Sequence, residues 1–417
     1  MSRNRSFKKQ NVNPELPVVG IDVAKHVHFA TILFSDGSER RFSFENTQAG
    51  FLSLVQWLQE SRTTSGIQQS IVGLESTGHY WKPLAYFLAK LSDVILVQVN
   101  PAHVKKAKEL YDNSPGKTDH KDASVIAMLI KMGRFQHLHL LQGAYADLRI
   151  SAKLREQKIL ELGMQRNILH SLIDTIFPEY GKMFSKLETK TSLYLLQRYT
   201  TPDRLLSLGR YRLTKVIQKA SRGKLAEEKA NELLEAAKTS IGIKAGQESI
   251  TLAIRETVRG LQRILKELQV IDERLSQILQ GIPYASQLLS VKGIGSVTLA
   301  VILGETGDLR RYRKADEIIK LAGLNLYEIS SGQHRGRRRI TKRGRPLLRK
   351  TLFFAALRLV KQGGIFRKDY LRLTENNQMQ KVKALVALAK KVLRVIFALA
   401  RDGAYYQEKE APLPLAA

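Results

Sequence analysis

Hydrophobic periodicity changes once along this 417-residue chain, and that change restricts what it can fold into. Residues 17–45 alternate with a period of two: "VVGIDVA", "FATILFS" and "RRFSFEN" are separated by short polar or glycine-containing links, and "SDGSE" has the composition of a hairpin turn. A helical stretch from Phe51 to Gln59 precedes "QSIVGLEST", an apolar strand that ends in Glu75. A helix over Tyr80–Leu91 and a strand "VILVQVN", closed by Pro101, continue the strand and helix alternation of an α/β domain. From Asp147 to Gln280 the strand signal disappears. The segment from Leu148 is helical in period up to Pro178, and Ile254, Val258, Leu261, Leu265, Leu268, Ile271, Leu275 and Ile278 recur at steps of three or four. Such a seam makes a long helical hairpin or coiled coil, packed either on its own domain or against a second copy. The expected organisation is an α/β domain over 15–146, a helical coiled-coil region over 147–280, a mostly helical module over 281–402 and a disordered tail over 403–417.

The third region opens with "LLSVKGIGSVTLAVILGE", residues 288–305. Lys292, Gly293 and Gly295 lie between two apolar helical segments, as in a helix-hairpin-helix whose glycines bring backbone N–H groups close to a phosphate; Gly-x-Gly also makes plain turns. "SSGQHRGRRRITKRGRPLLRK", residues 330–350, follows. A solvated loop is the ordinary reading of a charge run. Apolar helices on both flanks favour a nucleic-acid contact surface that includes Arg335, Arg337, Arg338, Arg339, Lys342 and Arg343.

Composition bears on the partner. Sixty-eight Lys and Arg against 38 Asp and Glu give a formal net charge of +30, which calls for a polyanion, DNA or RNA first. No apolar run approaches the roughly 20 residues of a spanning helix, and the polar, basic N-terminus lacks the apolar core of a secretory signal, so a cytoplasmic protein with no membrane partner is expected. The absence of cysteine excludes disulfides, cysteine nucleophiles and thiolate zinc sites. Nine scattered histidines without HExxH leave carboxylates as the metal ligands, and carboxylate oxygens suit Mg2+ or Mn2+.

Four acids then stand out. Asp22 lies in the apolar strand "VVGIDVAKH", where burial calls for a compensating cation or salt bridge unless the strand turns there. Glu75 ends the next central strand, where simple exposure is the alternative. In "GKTDHKDASVIAML", Asp119 and Asp122 suit helix capping, with Thr118 or Asp119 as N-cap, and they also project from one helix face as a metal-binding pair would. An acid on the first strand, another on a later central strand and a pair on a following helix are in the order of an RNase H-like nuclease site, where divalent ions assist phosphoryl transfer.

"GIDVAK", "LESTG", "KTDHKDA" and "VKGIG…LAGL…SSG…RGRRRITKRG", in this order over residues 17–360, resemble the DEDD-type insertion-sequence transposases, the one-ten insertion-sequence family of bridge-RNA-guided recombinases. The resemblance implies a RuvC-like N-terminal domain in which Asp22, Glu75, Asp119 and Asp122 form the metal-binding tetrad for Mg2+. It implies that Ser331 attacks a DNA phosphodiester and forms a covalent phosphoserine intermediate. It further implies donor and target DNA, a structured guide RNA, and a homo-oligomer, dimer or tetramer, in which the serine of one subunit meets the acids of another. By itself Ser-Ser-Gly is an ordinary turn, and only the serine-glycine match selects Ser331 over Ser330. Leu326 and Arg345 depart from the family pattern, which often has proline and asparagine there. Two other readings of the chain are a hydrolytic nuclease of the RuvC type that resolves branched DNA, and a non-catalytic nucleic-acid scaffold.

Overall fold

The computed structural model describes residues 12–13, 15–66, 68–112, 119–328, 330–331, 334–336 and 338–408; of 64–65, 109–112, 119, 330–331 and 334–335 it describes the backbone alone. Thr118, Gly332 and Arg337 therefore lie outside the described residues. The chain divides into two compact units at Leu140 and Leu141.

The first unit is a mixed sheet between two helical layers. Strands β1 (Val18–Asp22), β2 (Val27–Leu33), β3 (Glu39–Glu45), β4 (Ser70–Glu75), β5 (Val94–Val99) and β6 (Phe135–His137) lie in the order β3-β2-β1-β4-β5-β6. β1, β2 and β3 pair antiparallel, β1, β4 and β5 pair parallel, and β6 returns antiparallel to β5. The expected β2–β3 turn forms at Gly37, whose φ of 89° suits glycine, with the Asp36 carboxylate accepting from the Ser38 N–H at 2.8 Å. Helices α1 (Gln48–Ser65), capped by the Thr47 side chain, and α2 (Trp81–Leu88) cover one face. Their core holds Val19, Ile21, Val72 and Leu74 with Leu54, Leu58 and Leu84. The opposite face, with Val18, Ile71, Val97 and Val99, packs on α3 (Pro101–Asp112) and α4 (Asp119–Lys131) through Val104, Ala107, Ile126 and Ile130. Pro101 does more than close β5: it is the first residue of α3, where its missing N–H leaves no helical bond unmade.

The second unit is predominantly helical. α5 (Gly143–Ile176) and α11 (Gln247–Gln280), each 34 residues and about 50 Å long, run antiparallel. Arg155–Asp272, Lys158–Glu267 and Arg263–Glu161 ion pairs track down one helix and up the other. Residues 254–278 of the apolar seam are buried except Leu265, which is partly buried, and the seam faces α5 and the helices around it, so it belongs to an intrachain core. Between them, α6 (Tyr180–Met183), α7 (Lys190–Arg198), α8 (Pro202–Leu206), α9 (Gly209–Ser221) and α10 (Glu227–Lys238) share a core with the half of the hairpin where the two helices are connected, residues 162–176 and 254–268. The hairpin's other end, Leu148 with Ile271 to Leu279, joins a separate core with α12 (Ala285–Leu289), α13 (Ser296–Thr306), α14 (Ala315–Leu321), α15 (Pro346–Gln362), α16 (Gly364–Leu371) and α17 (Lys381–Asp402). The position 146/147, expected to separate domains, falls inside α5.

The tail corrects one expectation. Residues 403–408 are not a free end: Tyr406 packs on the helical core and its N–H donates to Ser290 Oγ at 2.7 Å, because the segment still carries an apolar ring the core can cover.

Candidate active site

Period-two alternation positions the first two acids. Val19 and Ile21 point to the α1/α2 face, so Gly20 and Asp22 belong to the face covered by α3 and α4. On β4, Val72 and Leu74 likewise leave Gly73 and Glu75 on the α3/α4 face. Ile21 lies beside Leu74 in parallel register, which makes Asp22 and Glu75 neighbours at the carboxyl ends of adjacent strands. Gly20 and Gly73 are partners in the same register. A Cβ on Gly20 would run into the backbone of Ala123 and Ala127, and one on Gly73 into the Ile130 side chain, so this glycine pair is what lets α4 cross the sheet so closely.

That crossing brings the first turn of α4 to the acids. Ala123 sits over Gly20, and His120 packs edge-on at 4.8 Å against Phe29, the register partner of Asp22. Asp122 is therefore turned inward and is 5% exposed. Glu75 is half-buried, and its carboxyl is held above the usual range chiefly by burial and further by the charge of Asp122, while Lys108 opposes the shift. The backbone of Asp119 begins α4. Its side chain, and the Thr118 cap alternative, fall outside what is described.

A metal ion needs several such oxygens. Asp122 offers a buried carboxylate whose Oδ1, although 2.6 Å from the Lys108 ammonium, makes no well-directed hydrogen bond, and such an oxygen fits the demand of a hard divalent cation for carboxylate ligands. Among the described residues, however, no three acids or histidines stand close enough to hold a metal ion together. Lys108, on the inner face of α3 with Val104 and Ala107, instead meets Asp122: its Nζ donates to Oδ2 at 2.6 Å and lies 2.6 Å from Oδ1.

In the second unit, α12 is followed by a turn at 290–295 and then by α13. Gly293 has φ 103° and packs against Gln362, and Gly295 is the N-cap of α13; Lys292 is exposed. The described residues of the basic segment and its approach include short strands. Strands β7 (Leu326–Tyr327), β8 (Ser330–Ser331), β9 (His334–Arg335) and β10 (Arg339–Ile340) nest as two antiparallel ladders, β7 with β10 and β8 with β9. Within this arm Ser331 pairs with His334 through the backbone. Arg339, Lys342 and Arg343 are exposed, and Arg338 is exposed but ion-paired with Glu328 at 2.9 Å. Of Arg335 only the backbone, in β9, is described.

Both units have matching family models. A DEDD_Tnp_IS110 transposase model covers residues 19–178, which includes all four acids, and a model of the IS116/IS110/IS902 transposase family covers residues 285–371, which includes the arm. The chain belongs to the IS110 family of insertion-element transposases. This transposase is 27% identical to the uncharacterized 44.8 kDa protein of insertion element IS116 from Streptomyces clavuligerus, over 92% of this chain and 94% of that one. It is 25% identical to the 43.6 kDa protein of insertion element IS110 from Streptomyces coelicolor, over 72% and 75%. A pilin gene-inverting protein of Moraxella bovis is 22% identical over 94% of this chain and 98% of its own.

Two residues of the transposase escaped the sequence reading, and a third was read only as a departure from the family pattern. Lys108 resembles Lys105 and Lys106 in a charged run; its distinguishing mark is its position four after Val104 and one after Ala107, on the buried side of a helix. His120, between the two acids, turns a buried Nδ1 without a partner toward the interior. Arg345, one of the departures from the family pattern, is not a surface contact: it stands 3.8 Å from the buried Glu305, and burial chiefly holds its guanidinium below the usual arginine range. No helix among the described residues is long and apolar enough to cross a membrane.

Proposed function

We propose that this transposase cuts and rejoins DNA at an acidic site built from Asp22, Glu75, Asp119 and Asp122, with Ser331 as covalent nucleophile and a structured RNA as guide. The carrying observation is the strand register that makes Asp22 and Glu75 neighbours at the carboxyl ends of β1 and β4, with the charge of the buried Asp122 on α4 reaching Glu75. The β3-β2-β1-β4-β5 order, antiparallel on one side of β1 and parallel on the other, supports the RNase H-like, RuvC-like reading of that unit. Divalent Mg2+, or Mn2+, held by these carboxylates would supply Lewis-acid stabilisation of phosphoryl oxygens.

The chain's own groups account for the rest. The Ser331 oxygen would replace a deoxyribose oxygen on phosphorus, and the released oxygen would take up a proton; one phosphoester is exchanged for another, so a later exchange with a new strand end needs no external energy source. Exposed Lys292, Arg339, Lys342 and Arg343, with Arg335, Arg337 and Arg338, would grip nucleic-acid phosphates, and Gly293 and Gly295 in a helix-hairpin-helix turn would admit a strand closely. Family resemblance is the support for the guide RNA and for an assembly in which acids and serine come from different subunits.

Trapping tests the covalent step. Incubation with element DNA, its flanking non-coding RNA and Mg2+, followed by denaturation, should yield protein attached to DNA through Ser331, and Ser331→Ala should abolish both the adduct and strand exchange. Undiminished exchange by Ser331→Ala would remove the serine from the mechanism. The membership of Asp22, Glu75 and Asp122 in one unit and Ser331 in the other keeps a second reading in play, a RuvC-type nuclease that hydrolyses DNA with water. It predicts cleavage by Ser331→Ala with no adduct in either protein.

A further inference from the structure

Asp122 is a charged side chain 5% exposed, and a buried carboxylate is stable only with a counter-charge. In this structure the counter-charge is an amine of the chain itself. α3 turns Lys108 inward beside Val104 and Ala107, and α4 turns Asp122 inward above Gly20, so the two helices deliver ammonium and carboxylate to one point. The Lys108 ammonium lies 2.6 Å from both Asp122 oxygens, hydrogen-bonded to Oδ2 and leaving Oδ1 without a hydrogen bond. Its charge also reaches Glu75, the neighbour of Asp22. Among the described residues, the Lys108 ammonium therefore lies on Asp122, with its charge reaching Glu75, where a divalent cation would be shared.

The chemistry of lysine suits a provisional occupant. An ammonium is a compact point charge on a flexible four-carbon stem, and water can take it back; a guanidinium would bind a carboxylate as a fork and be harder to release. Lys108 is 29% exposed along its side chain, against 8% for Asp122, so the lysine has a path outward that the aspartate lacks.

We infer that Lys108 is the built-in counter-cation of this site, neutralising Asp122 in the metal-free protein and giving way to a divalent cation, so that it sets how tightly and how reversibly the metal is held. The inference rests on the metal-site reading above. Cation and ammonium compete for the same oxygens, and whatever the ammonium contributes to the metal-free state is subtracted from metal affinity.

Calorimetric titration of Mn2+ into the full-length protein, paired with thermal unfolding in chelator and in Mn2+, tests this. Lys108→Met keeps the stem and removes the charge: Mn2+ should bind about tenfold tighter or more, the midpoint in chelator should fall, and the rise on adding Mn2+ should exceed that of the wild type. Lys108→Arg should bind Mn2+ no more tightly than the wild type. Lys108→Gln provides the same neutral comparison if the methionine variant does not fold. Equal or weaker Mn2+ binding by a folded neutral variant overturns the inference. Asp122→Asn separates the two failures: if it abolishes binding while the neutral lysine variants bind as wild type, the metal site stands and the role of Lys108 falls. If wild type, Asp122→Asn and the Lys108 variants all fail to bind, the site itself falls, and the inference with it.

Discussion

Gly20 and Gly73 matter through the side chains they lack. Each precedes an acid by two residues, in "VVGID" and "SIVGLE", and the two glycines pair across β1 and β4 beneath α4. A side chain at either would lift the helix and move Asp122 relative to Glu75. The repeated glycine, apolar residue and acid was visible in the sequence, but its meaning depends on which two strands are neighbours. Nearby, His28 is fully buried and its Nδ1 accepts from the Ala24 N–H at 3.2 Å. Burial, partly opposed by Asn46, holds its pKa below the ordinary 6.5. The unfolded chain then takes up a proton that the folded chain refuses. Its contribution to stability is complete above pH 6.5 and is lost as pH falls from 6.5 toward the depressed folded value. Urea denaturation across this range should show His28→Leu with a shallower acid loss of stability than the wild type, whatever its absolute stability.

At the scale of elements, α5 and α11 carry the second unit. Leu261 is fully buried in the core they share with α6–α10, whereas Leu252, on the same helix, is 61% exposed. Leu261→Ala should cost about 3 kcal/mol in chemical denaturation, from lost transfer free energy and the cavity left behind, while Leu252→Ala should change stability by less than about 0.5 kcal/mol. Equal effects would show that this seam is not an intrachain core. The periodicity of α11 was readable because a 34-residue amphipathic helix averages out local noise, but periodicity could not say what the apolar face met. The arm at 326–340 was hidden for the opposite reason. Its ladders are two residues long in each strand, too short for alternation to register, and its basic side chains mask the pairing.

For the molecule as a whole, a charge of +30 exceeds what one phosphate clamp requires, and it predicts nucleic-acid binding that weakens steeply with salt. If Arg343, exposed beyond the arm, contacts a backbone phosphate, Arg343→Ala should reduce the slope of log affinity against log salt by about one, with little dependence on DNA sequence. Anisotropy titrations of a DNA duplex at several salt concentrations measure this; an unchanged slope would assign the charge to another surface.

What the sequence determined by itself was periodicity and inventory: an α/β portion, a long helical portion, a basic distal segment, four acids at recognisable positions, and no cysteine chemistry. These are properties of a chain read locally, since a period of two or of 3.6 selects the face that a side chain occupies. Only the tertiary structure decided neighbourhoods. It set β4 rather than β3 on the acid-bearing flank of β1, drew α4 onto two glycines 53 residues apart in the chain, and turned one lysine out of a run of three toward Asp122. Such contacts are fixed by the packing of whole layers, where the fit of one helix on a sheet depends on every side chain beneath it, and no local pattern carries that information.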